Sequence, residues 1–193
     1  MRQLERQRRL ILIGLVAAVA VTFTLVQLRS AMDRAAASDA PGIARGKPAP
    51  AIVGTTLDGA AFDLASLRGR PVVLNFWGPN CIPCRAEFPL FKHMLEVHGS
   101  EGLAIVGVLM GDPPVQARDF IREYGATWPT VDDEDKSIQR AYRVAARPQT
   151  YFIDRAGILR SIQVGEVTNA EFERQYALIV GSASGPSGAP ASP

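Results

Sequence analysis

The two cysteines of the 193-residue chain stand three positions apart, as Cys81-Ile82-Pro83-Cys84. They follow the apolar, β-branched run Pro71–Phe76, which predicts a buried strand, and they precede apolar residues at helical spacing. Pro83 falls in the first turn of this predicted helix, where its missing N–H costs no hydrogen bond. The sequence therefore places two thiols at the junction between a buried strand and the N-terminus of a helix.

This position favours redox chemistry over the other uses of a C-x-x-C pair. Haem attachment needs a histidine after the second cysteine, where this chain has Arg85. A zinc site needs two further ligands, for which the chain offers His93 and His98. A purely structural disulfide would close a very short loop and would restrict the unfolded chain little. Backbone N–H groups and the helix dipole instead stabilise a thiolate at Cys81, which we expect to be the more exposed thiol.

The N-terminal region has the pattern of a membrane anchor. Leu10–Leu28 carries no charge, and as a helix it would be about 28 Å long, close to the hydrocarbon thickness of a bilayer. Residues 1–9 contain four arginines, which predicts that this flank stays in the cytoplasm while the rest of the chain crosses. The alternative is a cleaved signal peptide with Ala35-Ala36-Ala37 as its cleavage site. A mature protein that begins at Ser38 would indicate the cleaved form.

Composition divides the remainder of the chain. Residues 29–45 lack apolar periodicity and are predicted to be a tether, and residues 46–180 are long enough for one hydrophobic core. Residues 181–193 contain only Gly, Ser, Ala and Pro, which predicts a disordered tail. The whole chain has a net charge of +2, although residues 1–9 alone contribute +3, so the folded part has no basic surplus that would attract nucleic acid.

Residues 46–180 alternate between strand and helix patterns, which predicts an α/β fold with a mixed sheet flanked by helices. A turn at Asp58-Gly59 predicts an N-terminal hairpin. The predicted strands are Ala51–Thr56, Ala61–Phe62, Pro71–Phe76, Leu103–Met110, Pro129–Val131, Gln149–Ile153 and Ile158–Val164. The predicted helices are Leu64–Leu67, Cys81–Val97, Val115–Tyr124, Asp135–Tyr142 and a last helix to Val180 with Asn169 as its N-cap.

Several motifs accompany the cysteines in a fixed order. They are Gly46-Lys47-x-Ala49-Pro50, Leu57-Asp58-Gly59, Val73-Leu74-Asn75-Phe76-Trp77-Gly78, Cys81-x-Pro83-Cys84-Arg85-x-Glu87-Phe88-Pro89 and Tyr142-x-Val144-x-x-x-Pro148-x-Thr150-x-Phe152-Ile153-Asp154-x-x-Gly157. As a set, they cover nearly all of 46–180 and resemble the membrane-anchored thioredoxin-like proteins of the TlpA/ResA/CcmG (DsbE) type. The set is much more specific than C-x-x-C alone.

The resemblance implies a thioredoxin-like fold with an N-terminal hairpin addition and a dithiol–disulfide cycle between Cys81 and Cys84. It implies a cis peptide before Pro148, beside Cys81, with the backbone of Arg147 pairing with an extended substrate. It also implies that Glu87 lies near the thiols and tunes them. The cycle needs no metal and no cofactor other than the redox-active disulfide Cys81–Cys84.

Four residues are predicted to lie at or beside the substrate groove: Trp77, Asn80, Arg147 and Gln149. Trp77 is expected in the core beside the site. The other three depart from the pattern of the relatives, in which Trp often precedes the first cysteine, a small or apolar residue precedes the proline, and an acidic residue or Thr follows it. If Arg147 reaches Cys81, its charge would favour the thiolate and make the disulfide more oxidising.

Together these observations predict a thiol–disulfide oxidoreductase on the extracytoplasmic side of a membrane. The resemblance implies reduction of disulfides in exported proteins, including apocytochrome c before haem attachment. Electrons would come from a membrane partner, since the sequence has no nicotinamide or flavin fingerprint.

Two alternatives use the same fold. A peroxiredoxin-like peroxidase would show P-x-x-x-[ST]-x-x-C, but Leu74 and Gly78 stand at the proline and hydroxyl positions relative to Cys81. A non-catalytic chaperone or Cu(I)-binding module could hold copper through its two thiols.

Overall fold

The computed structural model describes residues 43–181, which contain seven strands and four α-helices. Most elements lie within a few residues of their predicted bounds. The strands are β1 (Val53–Thr55), β2 (Ala61–Asp63), β3 (Val72–Trp77), β4 (Ala104–Leu109), β5 (Thr130–Asp132), β6 (Gln149–Ile153) and β7 (Leu159–Val164). The α-helices are α1 (Ile82–His98), α2 (Pro114–Tyr124), α3 (Ser137–Ala141) and α4 (Asn169–Val180), and Leu64–Leu67 and Gly99–Glu101 form 3-10 turns.

Five strands form a mixed sheet in the order β5-β4-β3-β6-β7. Strands β3, β4 and β5 are parallel, whereas β6 pairs antiparallel with both β3 and β7. All residues of β3 are buried, because the sheet is covered on both faces. The register places Asn75 of β3 beside Gly107 of β4 and Thr150 of β6. The carboxyl end of this central strand, at Trp77, leads to the cysteines.

The N-terminal hairpin of β1 and β2 is confirmed as a separate two-stranded sheet. The connection between β1 and β2 contacts one edge of the main sheet, where Leu57 N–H donates to the Thr130 carbonyl of β5 at 2.8 Å. The segment before it contacts the opposite edge, where Gly46 N–H donates to the Leu159 carbonyl of β7 at 2.8 Å. The N-terminal addition therefore touches both edge strands.

An aromatic cluster fixes α1 against the sheet. The ring of Phe88 lies 4.5 Å from that of Trp77, 4.8 Å from Phe120 and 5.1 Å from Trp128, measured between centroids. Phe88 is fully enclosed, so its apolar surface contributes stability to the helix that begins at the cysteine pair.

Phe88→Ala is expected to lower the free energy of unfolding by about 3–5 kcal/mol, because the cluster cannot collapse around the cavity left behind. Urea titration of the full-length chain in detergent measures this loss. Val97→Ala on the exposed side of the same helix is the control and is expected to change stability by less than about 0.5 kcal/mol. Equal losses in the two variants would contradict the proposed anchoring role of Phe88.

The predicted N-cap of the last helix is wrong by one residue. Thr168 rather than Asn169 caps α4, because Thr168 has an extended backbone and its hydroxyl accepts the Glu171 N–H at 3.3 Å. Both residue types favour N-caps, and the sequence pattern does not choose between neighbours.

The predicted membrane span, 10–28, and its flank, 1–9, lie outside the described residues, as do residues 29–42 of the tether and 182–193 of the tail. Within residues 43–181, none of the helices has the length and apolar character needed to cross a bilayer.

Candidate active site

The Cys81–Cys84 pair lies at the start of α1, as the sequence predicts. The two sulfurs form a disulfide, with the Cα atoms 5.2 Å apart. Cys81 is the N-cap of α1, and its sulfur accepts the Cys84 N–H at 3.2 Å. Cys81 keeps 8% of its surface exposed and Cys84 none, so Cys81 is the more accessible residue of the pair.

The Arg147–Pro148 peptide is cis, as the resemblance implies. Pro148 is buried at the start of β6, and its carbonyl accepts the Gly165 N–H at 2.9 Å. The side chain of Arg147 extends to Gly78, where its guanidinium occupies space that a β-carbon would need. The proline loop is therefore in contact with the loop that leads to Cys81.

Glu87 is buried one helical turn after Cys84, rather than on a solvated face. Its carboxylate accepts the Val167 N–H at 2.8 Å and the Asn75 side-chain amide at 3.2 Å. Burial raises the pKa of Glu87 to about 8, and the nearby charge of Glu166 adds to this, although the two hydrogen bonds oppose the shift. Glu87 can thus gain or lose a proton near neutral pH, close to the cysteine pair.

The four residues predicted for the groove divide into two pairs. Asn80 is exposed, and Arg147 is partly exposed. Trp77 is completely buried, which agrees with its expected place in the core beside the site. Gln149 also points inward, where its side-chain amide donates to the Tyr151 hydroxyl at 2.6 Å, because the β6 alternation turns it toward the core.

Sequence reasoning missed Asp112, which follows β4. Its carboxylate accepts the Asn80 backbone N–H at 3.0 Å and forms an ion pair with Arg147 at 3.0 Å. The guanidinium of Arg147 also donates to the Met110 carbonyl. Asp112 is 32 residues from Asn80 and 35 from Arg147, so no local pattern could reveal the contact. The hypothesis that the charge of Arg147 favours the Cys81 thiolate must therefore include the opposite charge of Asp112, with which Arg147 is paired.

Comparison with known proteins agrees with this geometry. Residues 45–162 match the model of the AhpC/TSA family. The chain is 35% identical over 132 residues to the thiol-disulfide oxidoreductase ResA of Geobacillus kaustophilus, covering 68% of this chain and 76% of that protein. The chain thus belongs to the AhpC/TSA family, and it has a thioredoxin-like α/β fold with a close pair of cysteines.

Solved structures narrow the class further. A thiol:disulfide interchange protein of the thioredoxin family from Chlorobium tepidum aligns with a TM-score of 0.66 at 27% identity, covering 72% of this chain and 100% of that one. A secreted Mycobacterium tuberculosis disulfide oxidoreductase homologous to DsbE of E. coli aligns with a TM-score of 0.59 at 29% identity, covering 65% and 94%. This chain is a thiol-disulfide oxidoreductase of the ResA/DsbE type.

Proposed function

We propose that this enzyme reduces disulfides in exported proteins outside the cytoplasm, with Cys81 as the attacking thiol. The observation that carries the proposal is the difference in access between the sulfurs: Cys81 is partly exposed at the helix start, whereas Cys84 is enclosed. A helix N-terminus stabilises a thiolate, and the thiolate is the form that attacks a disulfide.

The proposed cycle consists of two thiol–disulfide exchange steps. The Cys81 thiolate attacks one sulfur of the substrate disulfide, the substrate S–S bond breaks, and a mixed disulfide forms while the released substrate sulfur takes up a proton. Cys84 then loses its proton and attacks the Cys81 sulfur, which releases the second substrate thiol and forms the Cys81–Cys84 disulfide. Two electrons pass to the substrate, and the enzyme must receive two from a dithiol donor before the next cycle.

Glu87 suits the second step. Cys84 must be deprotonated in an enclosed place, and a carboxylate with a pKa of about 8 is close in proton affinity to an ordinary thiol. The neighbouring surface suits the substrate, because an extended chain can pair with the backbone of Arg147 beside the cis-Pro148. Asn80 and Arg147 then form the accessible rim of the groove, and Trp77 and Gln149 support it from below.

The proposed location rests on the sequence. Leu10–Leu28 would serve as a single-pass anchor, with residues 1–9 cytoplasmic and the catalytic domain on the periplasmic side. A membrane dithiol protein would then supply the electrons, and apocytochrome c is a fitting substrate because its cysteines must be reduced before haem is attached. The cycle uses the redox-active disulfide without a further cofactor or metal.

Trapping in cells tests the proposal. In Cys84→Ser the mixed disulfide cannot be resolved, so we expect Cys81-linked adducts with exported proteins that disappear on treatment with a reductant. The double variant Cys81→Ser/Cys84→Ser is the control and is expected to trap none. Apocytochrome c among the adducts would support the cytochrome role. Absence of any adduct, or adducts with cytoplasmic proteins alone, would overturn the proposal.

A further inference from the structure

One carboxylate joins the two loops that border Cys81. Asp112 Oδ2 accepts the backbone N–H of Asn80, the residue immediately before Cys81, and also pairs with Arg147 Nη1, both at 3.0 Å. Asp112 Oδ1 accepts from Arg147 Nη2 at 3.2 Å, which makes the pair bidentate. The loop that leads to the nucleophile and the loop that carries the cis-proline are therefore held by the same side chain.

Neither charge of this pair is a free surface charge. The side chain of Asp112 is 9% exposed and that of Arg147 is 25% exposed. Burial opposes ionisation of Asp112, but the hydrogen bonds from Asn80 and Arg147, and the charge of Arg147, outweigh it, so the pKa of Asp112 lies below its ordinary value. The negative charge of Asp112 is thus maintained near neutral pH, where it offsets the guanidinium that it pairs with.

The loop before Cys81 leaves room for the side chains of Arg147 and Asp112 to lie against its backbone. Gly78 has no side chain, and a β-carbon there would overlap both the Arg147 guanidinium and the Asp112 carboxylate. The side chain of Asn80 is held in addition by Gln116 of α2, whose side-chain oxygen accepts its amide N–H at 3.0 Å. Asp112 consequently lies one hydrogen bond and one residue away from the nucleophile.

We propose that Asp112 is a positioning residue that holds Arg147 across the substrate groove and cancels its positive charge beside the Cys81 thiolate. This inference rests on the proposed role of Cys81 as the attacking thiol. Arg147 alone would stabilise the thiolate, and Asp112 alone would destabilise it. The pair leaves the thiolate close to neutral surroundings on this side while keeping the backbone of Arg147 in place for substrate.

Substitutions that remove either the negative or the positive charge of the pair separate its electrostatic effect on Cys81 from a purely structural role. Asp112→Asn keeps an acceptor for the Asn80 N–H but leaves Arg147 uncompensated, so we expect the Cys81 pKa to fall by about half to one unit. Arg147→Gln leaves Asp112 uncompensated and is expected to raise the Cys81 pKa by a similar amount. Asp112→Asn/Arg147→Gln is expected to return close to the parent value, since both charges are gone.

Two measurements on the full-length chain in detergent report these effects. The pH dependence of Cys81 alkylation, in the Cys84→Ser background, gives the pKa of the thiol. Equilibration of the dithiol form with glutathione gives the potential, which should change by about fivefold in equilibrium constant, or about 20 mV, less negative in Asp112→Asn and more negative in Arg147→Gln. The other ionisable groups around the cysteines, Glu87, Glu166 and Arg85, are left unchanged.

Asp119→Asn is the matched control, because Asp119 forms an exposed ion pair with Arg122 elsewhere on α2. It is expected to leave both the pKa and the potential at the parent values. Shifts of the same sign in Asp112→Asn and Arg147→Gln, or no shift in either, would overturn the inference in favour of a purely structural pair. If Cys81 in the parent chain alkylates with the pH dependence of an ordinary thiol, the proposed function of Cys81 as the attacking thiolate is contradicted. That outcome is distinct from those that overturn the role of Asp112.

Discussion

Cys81→Ser is expected to reduce disulfide-reductase activity by at least about a thousandfold, to the uncatalysed background. A serine hydroxyl is a far weaker nucleophile than a thiolate and cannot form the mixed disulfide. The remaining Cys84 cannot replace it, because its sulfur is enclosed at the base of α1. The activity is measured as the rate at which the full-length chain in detergent reduces a model peptide disulfide.

Cys84→Ser is the matched variant for this experiment. It keeps the more accessible thiol, so one rapidly alkylated sulfur should remain in Cys84→Ser and should be lost in Cys81→Ser. The reverse pattern would show that the roles of the two cysteines are exchanged. Circular dichroism of both reduced variants separates loss of chemistry from loss of fold.

Glu87→Gln is expected to change the pH dependence of stability more than any other single carboxylate substitution in the described part of the chain. The folded pKa of about 8 lies above the ordinary value of 4.5, so the folded state binds this proton more tightly than the unfolded state. The stability that Glu87 contributes is therefore fully present below about pH 4.5 and is lost as pH rises through about 8.

Urea titration of the oxidised chain between pH 5 and 9 tests this sign, because the disulfide sulfurs do not titrate. The stability of Glu87→Gln relative to the parent chain is expected to rise by about 1 kcal/mol per pH unit up to about pH 8. Any hydrogen bond that glutamine fails to make with Asn75 or Val167 adds a constant offset and leaves this slope intact. Glu123→Gln, at an exposed carboxylate, is the control; an equal slope there, or none at Glu87, would contradict the assignment.

The elements that the sequence predicted best are those in which local pattern and burial agree. The apolar runs that became β3 and β4 are continuous because both faces of these strands are covered. The cysteine pair was located by its place between a buried strand and a helix, and Pro148 was found through the resemblance. These features are encoded within a few consecutive residues.

The contacts that the sequence could not reveal join residues far apart in the chain. Glu87 has the pattern of a surface helix residue, and its burial follows from the approach of Val167, 80 residues away. Asp112 belongs to a Gly- and Pro-rich turn, and it becomes part of the site only because β4 ends beside β3. Gln149 was predicted to lie at or beside the groove, but its side-chain amide donates to the hydroxyl of Tyr151, which shares its face of β6.

The contacts of the N-terminal addition with both edges of the sheet have a consequence for self-association. Edge strands expose unpaired N–H and carbonyl groups that can template the joining of one chain to another, which leads to aggregates. Here, Leu57 satisfies part of β5 and the segment at Gly46–Pro48 satisfies part of β7. For an enzyme that acts on the disulfides of other proteins, such coverage leaves its sheet fewer places where a client strand could add away from the cysteines.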